Sequence, residues 1–204
     1  MDWDERYSEA GFAYGTAPNE FLVSVVDRIP HGRILSLAEG EGRNAVYLAS
    51  LGYEVTGVDG SEVGLRKAQE LAVQRRVAIA TVHADLGEFA IDPARWEGII
   101  AIYCHLPSAI RAPLHRAAVR GLKPGGVFVL EAFSKEQLNY GTGGPQSLDM
   151  LMSLDELKRE LAGLEFIHAV QVERDVLEGS RHTGLASVVQ ILGVKPGADE
   201  GKLP

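Results

Sequence analysis

The stretch Ile34-Leu-Ser-Leu-Ala-Glu-Gly-Glu-Gly-Arg-Asn-Ala-Val-Tyr-Leu-Ala-Ser-Leu-Gly-Tyr-Glu-Val-Thr-Gly-Val-Asp59 decides the fold. Its first four residues are a short apolar run, the mark of a buried strand. Gly40 and Gly42 then allow a sharp turn and a close backbone approach to a ligand. A helical pattern over Asn44–Leu51 ends at Gly52, which suits a C-cap. Glu54–Val58 reads as a second strand, with Asp59 at its tip. In a doubly wound α/β fold that tip lies beside the first turn. A carboxylate there can accept hydrogen bonds from both hydroxyls of a ribose. The turn and its acid thus point to a nucleoside-containing ligand.

With Ala45, the spacing also fits the G-x-G-x-x-G/A pattern of dinucleotide sites. That pattern would set a pyrophosphate on the helix N-terminus. Glu39 and Glu41 sit in the turn, however, and like charges at a few Å cost about 1–4 kcal/mol at partly solvated sites. S-adenosylmethionine (SAM) carries an ammonium and a sulfonium and no phosphate, so the charge of the turn favours SAM over NAD.

Outward from this unit, the chain continues in the same βα rhythm. Pro18 opens a helix whose inner face is Phe21, Leu22, Val25, Val26 and Ile29. Ser61 caps a helix with Leu65, Ala68, Leu71 and Ala72 inward. Val77–His83 and Glu97–Tyr103 read as strands three and four, and a helix from Ser108 to Leu122 stops at Lys123-Pro-Gly-Gly126. Val127–Phe133 is strand five. A Gly-rich loop over residues 135–152 is long enough for a lid. Ser153 and Glu156 form a capping box. Two strand-like runs, Glu165–Leu177 and Leu185–Val194, flank Glu-Gly-Ser-Arg-His-Thr-Gly and read as a hairpin. The expected fold is therefore α/β and Rossmann-like: a seven-stranded, mostly parallel sheet with a C-terminal antiparallel hairpin and helices on both faces. Residues 1–195 are expected to form one domain, with 1–30 as a helical lid and 196–204 as a flexible tail.

Composition narrows the function. The 204 residues are 46% hydrophobic and 24% charged, an ordinary globular mix. A net charge of −8 argues against a broad basic nucleic-acid face. The single cysteine, Cys104, forms no intramolecular disulfide, the N-terminus is too polar for a signal peptide, and no apolar run spans a membrane. A cytoplasmic protein is expected, monomeric or weakly dimeric, with a small-molecule partner, no nucleic-acid or membrane partner and no metal.

The chain resembles the class I SAM-dependent methyltransferases, in particular the bacterial branch similar to tellurite-resistance and thiopurine methyltransferases. The resemblance runs through WDERY and AYGTAPNEFL near the N-terminus, LAEGEGRNAVYLASLGYEVTGVD, LKPGG and the closing VVQILG, over residues 1–195. The usual first motif of that family is closer to D-x-G-x-G-x-G. Here Ser36 and Ala38 stand in place of the first acid and first glycine, and Glu39 either supplies a charge or points elsewhere. The resemblance implies cofactor contacts from Ala38, Glu39, Gly40, Gly42, Arg43 and Asn44 in the turn, and from Asp59, Gly60 and Ser61 after strand two. It implies that Asp85, with Leu86, meets the adenine, and that Tyr103 and His105 run beside the methionine part. Trp3, Tyr7 and Tyr14 belong to an N-terminal segment that folds over the crevice, where aromatics suit a sulfonium. Cys104 is expected to be packing. Arg181 and His182, in the hairpin loop, match an adjacent basic pair in similar tellurite-resistance proteins, in the opposite order. With His105 they are the candidate catalytic residues: Arg181 to hold an anionic acceptor, His105 or His182 to remove a proton where one must leave. The implied activity is methyl transfer to a small molecule, with a thiol or a selenium or tellurium oxyanion as acceptor. An NAD-binding oxidoreductase and a non-enzymatic SAM-binding regulator are the other readings.

Overall fold

The computed structural model describes residues 3–179 and 182–197. A seven-stranded sheet is built from β1 (Arg33–Leu37), β2 (Glu54–Asp59), β3 (Ala80–His83), β4 (Trp96–Ile102), β5 (Leu122–Phe133), β6 (Glu165–Glu178) and β7 (His182–Val194). Its order is β3-β2-β1-β4-β5-β7-β6. The first five are parallel, and β7 pairs antiparallel with both β5 and β6. The helices are α1 (Trp3–Tyr7), α2 (Glu20–Val25), α3 (Arg43–Ser50), α4 (Glu62–Arg75), α5 (Ser108–Gly121) and α6 (Leu154–Glu160).

The central strands are apolar on both faces because both faces are covered. Alternation divides them between two cores. Ile34, Ile100 and Val129 pack with Leu22, Leu48 and Leu71 of α2, α3 and α4. Leu35, Ile99, Phe128 and Leu130 face Leu114 and Ala118 of α5 and Leu157 of α6. The order reverses at β1, which has β2 on one side and β4 on the other. A crevice opens at the carboxyl ends of strands at such a switch point.

The expected architecture stands, and the bounds of several elements move for physical reasons. Pro18 precedes the helix it was expected to open. Asn19 is the N-cap, its side chain accepting from the Leu22 amide, and α2 passes into a 3-10 turn over Val26–Arg28. Strand three starts at Ala80, not Val77, because Arg76 caps α4 in a left-handed conformation and the Val77 amide bonds back to Ala72. The Lys123–Gly126 turn is drawn into β5: Gly125 donates to the Lys195 carbonyl, and Lys195 donates to that of Gly126. The loop over 135–152 contains a 3-10 turn, Lys135–Asn139, and a bridge from Ser134 to Met152. Both hairpin strands run further toward the tip than their apolar stretches indicate. Among the described residues, no helix is long and apolar enough to cross a membrane. The tail expected at 196–204 falls almost wholly outside the described residues.

Candidate functional site

The turn after β1 is bent by left-handed residues, Ala38 (φ 52°), Gly40 (60°) and Gly42 (91°). Gly42 is also the N-cap of α3, and a side-chain carbon there would lie 2.6 Å from the Ala68 methyl on α4. Only glycine meets both demands. Asp59 braces the turn from β2. One oxygen accepts from the Gly40 amide at 2.8 Å and the other from the Ser61 amide at 2.8 Å. Burial raises the Asp59 carboxyl above its ordinary range, and those two amides pull against the rise. Each oxygen holds one backbone donor, and a carboxylate oxygen has room for a second.

Glu39 and Glu41 are engaged within the protein. Glu39 accepts from the Ser36 hydroxyl through one oxygen and from the Ala45 amide, at 2.9 Å, through the other. Ala45 lies in the first turn of α3, where a free amide would otherwise face an anion. The chain's own carboxylate fills the place a pyrophosphate would take. Glu41 accepts from the Ala13 amide at 2.7 Å and pairs with Lys67 at 3.0 Å. Its charge is neutralised, so it contributes little of the repulsion expected from the sequence. The case against a dinucleotide rests on occupancy of the helix N-terminus more than on net charge.

Beside this turn lies a cavity of about 680 Å³. Of the residues singled out from sequence, Ala38, Glu39, Arg43, Asn44, Asp59 and Gly60 line it, as do Asp85, Leu86, Tyr103 and His105. Trp3, Tyr7 and Tyr14 line it from the N-terminal segment. Gly40, Gly42 and Ser61 do not line it. Their part is to shape the wall: Ser61 caps α4 and donates to Asp4 at 2.5 Å. Arg43 is turned toward Glu178 at 2.7 Å and the Ala17 carbonyl at 3.4 Å, and Asn44 accepts from the Asn19 amide at 2.9 Å. Arg181 lies outside the described residues. His182 opens β7 opposite Glu178, and its side chain lies outside them as well.

At the end of β4 the polar edges are tied back into the protein. Tyr103, left-handed at φ 52°, donates its hydroxyl to Glu131 at 3.1 Å. Burial, then the nearby carboxylates of Glu131 and Glu178, push that phenol well above its ordinary range. His105 contacts the Met150 carbonyl through Nδ1 at 3.0 Å, and its Nε2 accepts from the Phe133 amide at 3.3 Å. A ring whose Nε2 accepts and whose Nδ1 donates is the neutral Nδ1–H tautomer. Cys104 is buried, and burial pushes its thiol up to about 12.

The N-terminal segment is fastened across the mouth. Trp3 stacks on Tyr7 (5.6 Å), Tyr7 meets Tyr14 edge-on (6.4 Å), and Arg6 lies over Trp3 and donates to the Tyr14 hydroxyl at 2.8 Å. Lys67 donates to the carbonyls of Glu9 and Gly11. Sequence reasoning did not assign Arg6, Lys67, Met150 or Gly143-Gly144-Pro145 to the site; the length and glycine content of the loop were the available signal for the last group. Tyr140, in the loop long enough for a lid, donates to Glu173 at 2.6 Å and does not line the cavity.

A family model described as a methyltransferase domain matches residues 34–126. The chain is 26% identical over 137 residues to the 2-heptyl-1-hydroxyquinolin-4(1H)-one methyltransferase of Mycobacteroides abscessus, covering 66% of this chain and 60% of that enzyme. It therefore spans less than two thirds of that relative. Among solved structures, TehB from Haemophilus influenzae superposes with a TM-score of 0.71 at 19% identity, covering 95% of this chain and 65% of that one. A protein described under the conversion of a disulfide bond into a thioacetal group during echinomycin biosynthesis superposes at 0.76, also at 19% identity, over 97% and 92%. At that identity, these two likenesses speak for the fold.

Proposed function

We propose that the chain is a class I, SAM-dependent methyltransferase that moves a methyl group from SAM to a small-molecule acceptor, a reading supported by the methyltransferase-domain model that matches residues 34–126. The observation that carries this reading is the turn: Asp59 faces the cavity with lone pairs to spare, while Glu39 closes the α3 N-terminus to a pyrophosphate. Asp59 would hold the ribose hydroxyls, and Asp85 with Leu86 the adenine. That cofactor supplies a methyl group on a cationic sulfonium, already activated for displacement.

The residues around the β4 end orient an acceptor and exclude water. They take up no proton: both nitrogens of His105 are engaged, Tyr103 donates to a carboxylate, and the Cys104 thiol is buried. His105 thus serves as a wall and not as a base. An acceptor that is already ionised at its reacting atom needs no general base among these groups. Thiolates and the oxyanions of selenium and tellurium meet that condition. Arg181 and His182 remain the candidates for holding such an anion. A second reading, an acidic hydroxyl on a planar heteroaromatic acceptor, is favoured by Ile102, Leu106, Pro107 and Met150 in the wall and by the hydroxyquinolone named for the mycobacterial relative.

Calorimetry tests the cofactor half of this reading. S-adenosylhomocysteine (SAH) is expected to bind, and NAD not. Asp59→Asn should weaken SAH binding by about 1.5–3 kcal/mol, the scale of a hydrogen bond to a charged group. Binding of NAD, or unchanged SAH affinity in the variant, would overturn it.

A further inference from the structure

Glu178, the last residue of β6, is 5% exposed although it adjoins the hairpin tip. Its two oxygens are held by different partners: Asn19 Nδ2 donates to one and Arg43 Nη2 to the other, both at 2.7 Å. Asn19 is fully buried. Its Nδ2 also donates to Glu131 at 2.7 Å, and that same Glu131 oxygen receives the Tyr103 hydroxyl. The Asn19 amide donates to Asn44 in α3. One buried polar network thereby joins the N-terminal segment, the cofactor helix, the end of β4 and the hairpin. Next to it the hairpin meets the N-terminal segment backbone to backbone. A side-chain carbon on Gly179 would lie 2.5 Å from the Ala13 carbonyl and 2.6 Å from the Tyr14 Cα. Tyr14 and Gly15 line the cavity at that contact.

We propose that Glu178 is a positioning residue that fastens the hairpin tip to the N-terminal segment and so keeps the mouth of the cavity closed; its effect on cofactor exchange rests on the SAM-dependent reading. A network of this kind is worth most when every member is satisfied. Glu178 supplies one oxygen to Asn19 and one to Arg43. A glutamine has a single acceptor oxygen, so its amide NH2 must face one of two donors. Glu178→Gln therefore breaks the fastening with almost no change in shape, and leaves one buried N–H of Arg43 or of Asn19 without its acceptor.

The test is stopped-flow binding of SAH, followed by the fluorescence of Trp3 in the cavity wall. In Glu178→Gln both the association and the dissociation rate should rise about tenfold, the equivalent of one unsatisfied buried group, while Kd stays within about twofold. A residue of purely structural importance would lower the melting temperature and leave both rates alone. Rates equal to those of the unmodified protein overturn the proposal. A faster dissociation with unchanged association also overturns it, since that marks a cofactor contact. Where Glu178→Gln does not fold, Glu178→Asp decides in the same way: it keeps the charge one methylene short, so raised rates in both directions support the fastening and unchanged rates refute it. If the unmodified protein binds no SAH, the cofactor reading fails on its own, and hydrogen exchange still tests the fastening. Amides of residues 12–17 should exchange faster in the variant, and equal exchange refutes it.

Discussion

Glu39 shows what a single position can carry. The turn of this chain has Ser36 and Ala38 where a longer acidic and glycine pattern was expected, and Glu39 reaches back to the Ser36 hydroxyl and forward to the Ala45 amide. Burial raises its carboxyl to about 6, against the pull of those hydrogen bonds. A carboxyl raised in the folded state stabilises most when protonated. Its contribution is complete below about pH 4.5 and is lost as pH rises through about 6, a loss of roughly 2 kcal/mol. Glu39→Gln keeps the acceptor for Ala45 and offers an N–H to the Ser36 oxygen. The variant should therefore show none of this slope in urea unfolding between pH 4.5 and 6.5, and should be the more stable protein at pH 8. An unchanged slope would show that another group causes it. At this scale, spacing exposed Gly40, Gly42 and Asp59, because turn chemistry and a strand-tip acid are local. The partners of Glu39 and Glu41 were not legible: Lys67 and Ala13 meet Glu41 only through the packing of α4 and the N-terminal segment.

Among the elements, α5 and α6 are joined by a buried cluster. Arg111, 2% exposed, donates to Glu160 at 2.9 Å, and His115 Nδ1 meets the other Glu160 oxygen at 2.7 Å. Burial works to raise the Glu160 carboxyl, but the hydrogen bonds from His115 and Arg111 prevail and hold it at about 2. Burial lowers His115, which leaves it a neutral donor. Arg111 also reaches the Asp149 carbonyl at 3.1 Å, so the cluster steadies the loop that brings Met150 to the cavity. Glu160→Ala leaves the guanidinium buried without its carboxylate and should cost about 3–5 kcal/mol in denaturant unfolding. A cost below about 1 kcal/mol would mean that water replaces the lost partner. Apolar runs revealed the strands, and caps at Ser61 and Ser153 revealed helix starts, since both are written in neighbouring residues. The start of β3 is not legible in the sequence, because Val77 and Ile79 have strand-like side chains while a left-handed Arg76 sends the Val77 amide back to the helix. The full length of the hairpin was hidden for a related reason. Its outer residues, Glu178 on β6 and His182, Thr183 and Gly184 on β7, are polar or glycine, and only pairing of β6 with β7 reveals that they are strand.

Over the whole molecule, the parts that close the cavity come from distant stretches of chain. Asn19 lies 112 residues from Glu131 and 159 from Glu178, yet it bonds both. No periodicity or short motif reports a contact of that range, so the glycine turn beside the cavity is legible in the sequence and the buried network around Asn19 is not. The cavity is walled by parallel-strand ends, an N-terminal aromatic segment and one glycine-rich loop, an enclosure suited to a small acceptor. The most direct measurement is mass spectrometry of the protein incubated with SAM bearing a deuterated methyl group and a panel of thiols, selenium and tellurium oxyanions, acidic heteroaromatic hydroxyls and amines. The account predicts a deuterated methyl group on an acceptor that is ionised at its reacting atom, with SAH formed in equal amount. Transfer to amines alone would contradict the acceptor chemistry, and SAH-free mixtures across the whole panel would contradict methyl transfer itself.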